Sequence, residues 1–238
     1  MDTTTIFVGL IVFLAAFTQS LSGFGLALVS MALLPAVIGI RMATPLVALI
    51  AIVIEAVLMI RYRQSLDVRA IWKVVLAAVI GTPLGVLFLS RVDERIALTI
   101  LGLVIAGYAL YALLGLKLPR LENSFWAYTA GLVGGMLGGA YNTSGPPVIV
   151  YADCRRWPPD VFKSNLQGYF IISSLVIVAS HAFSGNLTAP VWRMFWWTLP
   201  FIVVGLLAGL SLDRWLNPIV FRRVVLALLV LMGIRLMF

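Results

Sequence analysis

The stretch Tyr141-Asn142-Thr143-Ser144-Gly145-Pro146-Pro147 decides how this chain is read. It lies inside residues 123–152, a segment without one charged residue. Proline has no N–H to donate, and Pro146 disfavours helical backbone at Gly145. A helix entering here must break. Residues 3–40 are also uncharged, too long for one ordinary span, and interrupted by Thr18-Gln19-Ser20-Leu21-Ser22-Gly23-Phe24-Gly25. Unwound backbone at membrane depth is tolerated only where protein or a water-filled cavity surrounds it. Each segment is therefore read as two half-helices meeting at an unwound tip.

The composition places these breaks in a membrane. Of 238 residues, 62% are hydrophobic and 11% charged, and mean hydropathy is +1.08. Soluble domains run about 45–50% apolar and about 25% charged. A water-soluble enzyme, a disordered chain and a disulfide scaffold are excluded. A transmembrane β-barrel would alternate apolar and polar residues in short strands; this chain has long unbroken apolar runs. The net charge of +8 sits mostly in short loops, as expected for orientation by cytoplasmic Lys and Arg, so no nucleic-acid partner is expected. The single cysteine, Cys154, allows neither an intrachain disulfide nor a cysteine metal cluster. Met1-Asp2-Thr3-Thr4-Thr5 has no basic residue before the apolar run, so a cleaved signal is not expected.

A span takes about 20 apolar residues. Plain spans are expected at 44–60, 72–90, 96–116, 165–182, 193–211 and 219–237. Trp72, Trp126, Trp192 and Trp215 fall near span edges, where amphipathic rings favour the interface. The broken segments match one another. A shift of 122 takes Gly9 to Gly131, Ser22 to Ser144, Gly23 to Gly145 and Arg41 to Lys163. Gly81 and Gly85 resemble Gly205 and Gly209 at a shift of 124.

The chain reads as a tandem duplication. Its first repeat, 1–119, has a broken hairpin at 5–37; its second, 120–238, has one at 124–157. If each hairpin returns to its starting side, twelve basic residues share one side: Arg61, Arg63, Arg69, Lys73, Lys117, Arg120, Arg155, Arg156, Lys163, Arg214, Arg222 and Arg223. Arg41, Arg91, Arg95, Arg193 and Arg235 take the other. That asymmetry gives a clear inside. It makes the two repeats inverted, a recurring transporter plan, and puts both termini outside the cytoplasm.

Unwound tips leave backbone N–H groups free and carry the positive ends of half-helices, which together suit an anion. Ser20, Ser22, Asn142, Thr143 and Ser144 add side-chain donors; Gly23, Gly25 and Gly145 admit a substrate to the backbone. The alternative is a pair of structural kinks. Gly131 to Gly139 holds overlapping small-xxx-small pairs, read chiefly as helix packing. Arg41 and Lys163 are vestibule cations or snorkelling topology anchors. Asn165 and Gln167 are candidates to line a cavity. Glu55, the acidic residue well inside an apolar span, is a candidate proton carrier or reaches to the interface. His181 is expected at an interface. Asp153, Arg155 and Arg156 read as a shallow vestibule or a salt-bridged turn, and Cys154 as packing.

These residues resemble the TauE/SafE sulfite exporter family of the toluenesulfonate uptake permease group. The resemblance rests on Gly134-Gly135, Gly138-Gly139 and Ser144-Gly145-Pro146-Pro147-Val148-Ile149-Val150-Tyr151, and on Ser20-Leu21-Ser22-Gly23-Phe24-Gly25. The tract from Trp157 to Phe170 is similar to one branch of the family. It implies movement of sulfite, sulfonates or related small sulfur-containing or carboxylate anions. Asp153-Cys154-Arg155-Arg156 replaces the apolar continuation of many members, so the substrate need not match theirs.

The fold expected is an all-α integral membrane protein of two inverted repeats, each a re-entrant broken hairpin plus three transmembrane helices. The function expected is secondary transport of small anions, proton-coupled export by alternating access, with the substrate between the tips. Expected partners are the anion, protons and membrane lipid in the cytoplasmic membrane, with a homodimer one candidate assembly. No catalytic residue, cofactor or metal is expected. A passive channel, a carboxylate transporter and a scaffold or sensor are the alternatives; an intramembrane enzyme is the weakest, because no nucleophile–base pair is visible.

Overall fold

A computed structural model describes residues 3–116, 118–212 and 218–238. The expectations for Met1, Asp2, Lys117, Arg214 and Trp215 fall outside the described residues. All regular structure among the described residues is helical. In chain order the helices are α1 (Thr3–Ser22), α2 (Leu26–Leu33), α3 (Pro35–Ile38), α4 (Ile40–Tyr62), α5 (Val68–Arg91), α6 (Glu94–Leu114), α7 (Ser124–Tyr141), α8 (Gly145–Arg155), α9 (Pro159–Phe183), α10 (Ala189–Leu212) and α11 (Pro218–Met237).

Six of them, α1, α4, α5, α6, α9 and α10, are long and apolar enough to cross a membrane. This set differs from the plain spans expected. It includes α1, whose 20 residues reach about 30 Å at 1.5 Å per residue. It omits α11, which is as long but carries Arg222, Arg223 and Arg235.

The chain forms two compact units, and neither is one half of the sequence. The first comprises Met1–Ile50, Val92–Leu116 and Leu187–Phe238; the second comprises Ala51–Arg91 and Lys117–Asn186. In the first unit α1 packs on α10, and α6 on α11. In the second, α5 packs on α7 and also on α9. Each broken hairpin is thus braced by a helix from the other half of the chain.

Glycines make both braces possible. With lipid tails as apolar as leucine, helices associate in a membrane through close van der Waals packing, which small residues permit. In the second unit, Gly131, Gly135 and Gly139 of α7 meet the α5 backbone at Val74, Ala78 and Thr82. Gly81 and Gly85 of α5 answer against Leu132 and Met136. A Cβ on Gly135 would lie 2.7 Å from Ala78 Cα, so no side chain fits. In the first unit, Gly205 meets Phe13 and Ala16, and Gly209 meets Phe17 and Ser20. The two packings correspond: Gly81 and Gly205 face the carbonyls of Leu132 and Phe13, and Gly85 and Gly209 those of Met136 and Phe17. The glycines match at a shift of 124 (81 to 205, 85 to 209). Their partners match at 119 (13 to 132, 17 to 136). The tip motifs match at 122 and so sit three residues, close to one helical turn, out of this packing register.

Candidate functional site

The first break, in the first unit, is short and closed on itself. The polar run from Thr18 does not unwind, contrary to expectation: α1 stays helical through Ser22. The reason lies in its hydroxyls. Thr18 Oγ1 donates to Leu14 O (2.8 Å), Ser20 Oγ to Ala16 O (2.7 Å) and Ser22 Oγ to Thr18 O (2.7 Å). Ser22 Oγ also contacts Phe24 O. Such back-bonding is compatible with helix. The turn itself spans Gly23 to Gly25, where positive φ values of 79° and 115° need glycine. Gln19 Oε1 then accepts from Leu26 N (2.9 Å), capping α2. Ser30, one turn into α2, is buried with an unpartnered Oγ.

Arg222 of α11 lies over the Phe24 ring at 5.1 Å and lines a small pocket with Thr18, Ser22 and Gly25. Sequence reasoning placed Arg222 only among the loop charges. Beside it, α1, α2 and α11 line a partly open apolar cavity of about 160 Å³, with Leu14, Thr18, Val29, Val225 and Met232 among its walls; the Thr18 hydroxyl is already bonded to Leu14 O. Its walls offer an oxyanion no donor.

The second break, in the second unit, is built differently. Asn142 ends α7 in the left-handed region at φ 57°, a conformation asparagine tolerates. Its amide bonds Gly138 O at 2.7 Å, and Thr143 N reaches Leu137 O at 3.3 Å. Gly145 is not part of the unwound tip, as Pro146 had suggested; it is the first residue of α8. Glycine lacks the Cβ that makes the pre-proline clash. Proline in a first turn forfeits only amides that have no helical partner. The two prolines also thin out the amide donors here, so side chains must supply more of any anion site.

Those side chains come from α9. Asn165, Tyr169, Ser173 and Ile177 recur every fourth residue and share one helix face. Two of them touch α7. A Cβ on Gly134 would lie 2.8 Å from Tyr169 Oη and 3.1 Å from Ser144 O; one on Gly138 would lie 3.1 Å from Ile177 Cδ1 and from Ser144 Cβ. The glycine run of α7 thus has two faces: 131, 135 and 139 pack on α5, while 134 and 138 make room for α9 and the break. The Tyr169 hydroxyl faces Ser144 and Ser173 without a hydrogen bond of regular geometry. Thr143 Oγ1, Asn165 Nδ2, Ser173 Oγ and Tyr141 Oη are likewise buried without a partner. Asn142 and Gln167 are buried as well and are partnered.

Glu55 is buried at 6% exposure. Its carboxyl faces Ser174, while Oε2 has no partner. His181, in the last turn of α9, is fully buried, with Nδ1 paired to Asn186 Nδ2 at 2.9 Å. Lys163 lies over the Tyr62 ring at 5.6 Å, and its neighbours tie α9 to the end of α4. Ser164 Oγ donates to Tyr62 O, and Asn165 Oδ1 accepts from Asp67 N at 2.8 Å. Arg41 is exposed on α4. Arg155 and Arg156 reach back toward the segment before α7. They donate to the carbonyls of Leu121 and Leu118, both at 3.1 Å, and pin it. Cys154 is buried packing.

Three comparisons with known proteins bear on this arrangement. The probable sulfite/organosulfonate exporter TauE of Cupriavidus necator is 28% identical over 230 residues, covering 92% of this chain and 88% of the relative. No solved structure matches. The family model for sulfite exporter TauE/SafE matches residues 8–236. That match spans both breaks and every candidate residue above, and the chain belongs to the TauE/SafE sulfite exporter family, a family of membrane transporters and not of enzymes.

Proposed function

We propose that this chain is a secondary transporter that exports small sulfur-containing oxyanions, sulfite or sulfonates, across the cytoplasmic membrane. Family membership and the relative's name support the substrate class and the direction. The observation that carries the site is a set of buried polar atoms without a hydrogen bond of regular geometry, Thr143 in the second break and Tyr169 and Ser173 on the α9 face beside it, with Asn165 further along that face at Asp67. A buried polar group without a partner costs about 1–3 kcal/mol. An oxyanion offers several acceptors at once and would relieve the group. Ser144 and Gly145 stand at the start of α8, whose dipole favours the same charge. We read the hairpins as re-entrant and the repeats as inverted; the recurrence of the α5–α7 packing in α1–α10 supports a duplication. Transport would proceed by alternating access, with a proton carried by Glu55.

The test is a thermal-shift screen of the purified protein with sulfite, methanesulfonate, thiosulfate and short carboxylates, followed by flux into proteoliposomes. Sulfite and methanesulfonate are expected to raise Tm by mass action. Ser144→Leu is expected to fold, lose that shift and lower flux about a hundredfold, roughly 2.7 kcal/mol. Stabilisation by carboxylates alone would change the substrate class, and flux that never exceeds equilibrium would make the protein a channel. Wild-type flux through Ser144→Leu would remove the anion from the second break.

A further inference from the structure

The apolar cavity of the first unit has a cation at one end. α1 packs on α10 and α11 on α6, and the cavity of about 160 Å³ lies where α1, α2 and α11 meet. It shares Thr18, Val225 and Leu229 with the small pocket that Arg222 lines, so the two spaces adjoin. Along α11 the lining runs Arg222, Val225, Leu229 and Met232, steps of three and four that keep to one helix face. Leu14 and Leu228 at the cavity are 43% and 50% exposed. The cavity therefore opens sideways, through apolar side chains that meet lipid when the helices stand in a membrane. Arg222 is exposed as well, with its guanidinium over the Phe24 ring.

The dimensions select the guest. At 1.5 Å per residue, Val225 lies about 5 Å and Met232 about 15 Å along the axis from Arg222. That is about the depth of one leaflet, half of a hydrocarbon core about 30 Å thick. A cation heading an apolar groove one leaflet deep matches an amphiphile with an anionic head and a hydrocarbon tail. A soluble oxyanion matches the head end alone. A dry apolar cavity of about 150 Å³ holds a benzene-sized molecule, so this one takes on the order of six carbons of a chain, and the open side lets the remainder lie among neighbouring lipids. No carboxylate among the described residues is bridged to Arg222 or to Arg223 beside it, which leaves their charge for the head. Basic pockets between membrane helices suit anionic headgroups.

We propose that an anionic phospholipid seats here, its phosphate on Arg222 and part of one acyl chain in the cavity. The lipid braces the first hairpin. α2 has only eight residues, and its Val29, Ala32 and Leu33 line the cavity. Side chains facing a void lack contact partners on that side, and an acyl chain supplies them. The proposal concerns the first unit and stands apart from the anion site at the second break.

The experiment uses the purified full chain, stripped of lipid in detergent. Dioleoyl phosphatidylglycerol or dioleoyl phosphatidylcholine is titrated in, bound lipid is counted by native mass spectrometry, and Tm is read alongside. Phosphatidylglycerol is expected to bind at least about fivefold more tightly than phosphatidylcholine, the scale of one basic residue near an anionic headgroup, and to raise Tm by mass action. Arg222→Gln should remove that preference and leave phosphatidylcholine binding unchanged. Ala32→Leu puts a side chain into the cavity and should weaken both lipids; Val29→Ile fills less and tests the same point where Ala32→Leu does not fold. Equal binding of the two phospholipids by the wild type would reduce the site to ordinary boundary lipid and overturn the proposal. So would Arg222→Gln keeping the preference, or cavity-filling variants that fold and bind phosphatidylglycerol as the wild type does. Glycerol 3-phosphate giving the full rise in Tm would leave a headgroup site with no chain. Hexanesulfonate displacing phosphatidylglycerol at equal concentration would give the cavity to a soluble amphiphilic anion instead, and either result also overturns it.

Discussion

The two breaks come from matching sequence and end up with opposite chemistry. At the first, three hydroxyls donate to carbonyls of α1 and a glutamine caps α2. At the second, Thr143, Asn165, Tyr169 and Ser173 keep buried polar atoms without a hydrogen bond of regular geometry among the described residues. Braces of the same kind hold both, α10 behind α1 and α5 behind α7. The difference teaches that a repeated packing does not carry a repeated site. Equivalent serines end in different surroundings: Ser22 lies inside α1 and bonds its own helix, whereas Ser144 lies beyond the end of α7 and faces Tyr169.

The largest effects should come from attacking what the two regions share. Gly85→Leu and Gly209→Leu each drive a side chain into the facing helix, at Met136 and Phe17. Each is expected to destabilise by about 3 kcal/mol and to lose folded yield, read by detergent-solubilised thermal denaturation. A neutral result for one of them would show that the packings are not equivalent. Next come changes that should act in opposite directions. Thr143→Val removes an unpartnered buried hydroxyl and should stabilise the ligand-free protein by about 1 kcal/mol. It should also weaken methanesulfonate binding about tenfold in calorimetry, the equivalent of about 1.4 kcal/mol. Ser22→Ala removes a satisfied hydroxyl and should destabilise by about 1 kcal/mol with little change in affinity. Reversed signs would move the site to the first break. Gln19→Leu leaves the buried Leu26 N without its cap and should cost about 1 kcal/mol, again without touching anion affinity.

Much of this was legible in the sequence, and the rest was hidden for physical reasons. Glycines, prolines and the absence of charge located both breaks, because they act on the local backbone. The extent of the first break was overestimated, since serine and threonine can satisfy themselves within a helix as readily as leave it. The α9 face was half visible: Asn165 stood out as polar, while Tyr169 and Ser173 passed as ordinary members of an apolar span although they repeat at the same spacing of four. Arg222 was counted for topology, and only tertiary packing brings it over Phe24. The burial of His181 was not legible, because polarity near a span end does not reveal what packs over a side chain. The exchange of α5 and α10 left no trace in periodicity, which orients a helix face without naming its partner.

That exchange has a consequence for biogenesis. When α1 has left the ribosome, its bracing helix α10 is still more than half a protein away in the message. At roughly 5–20 residues per second, the first hairpin waits on the order of ten seconds for it. During that interval it must be sheltered by lipid or by the insertion machinery. Neither half-gene product could complete a unit alone, yet two half-length chains made together would supply every brace, as an ancestral pair of identical short subunits would have done.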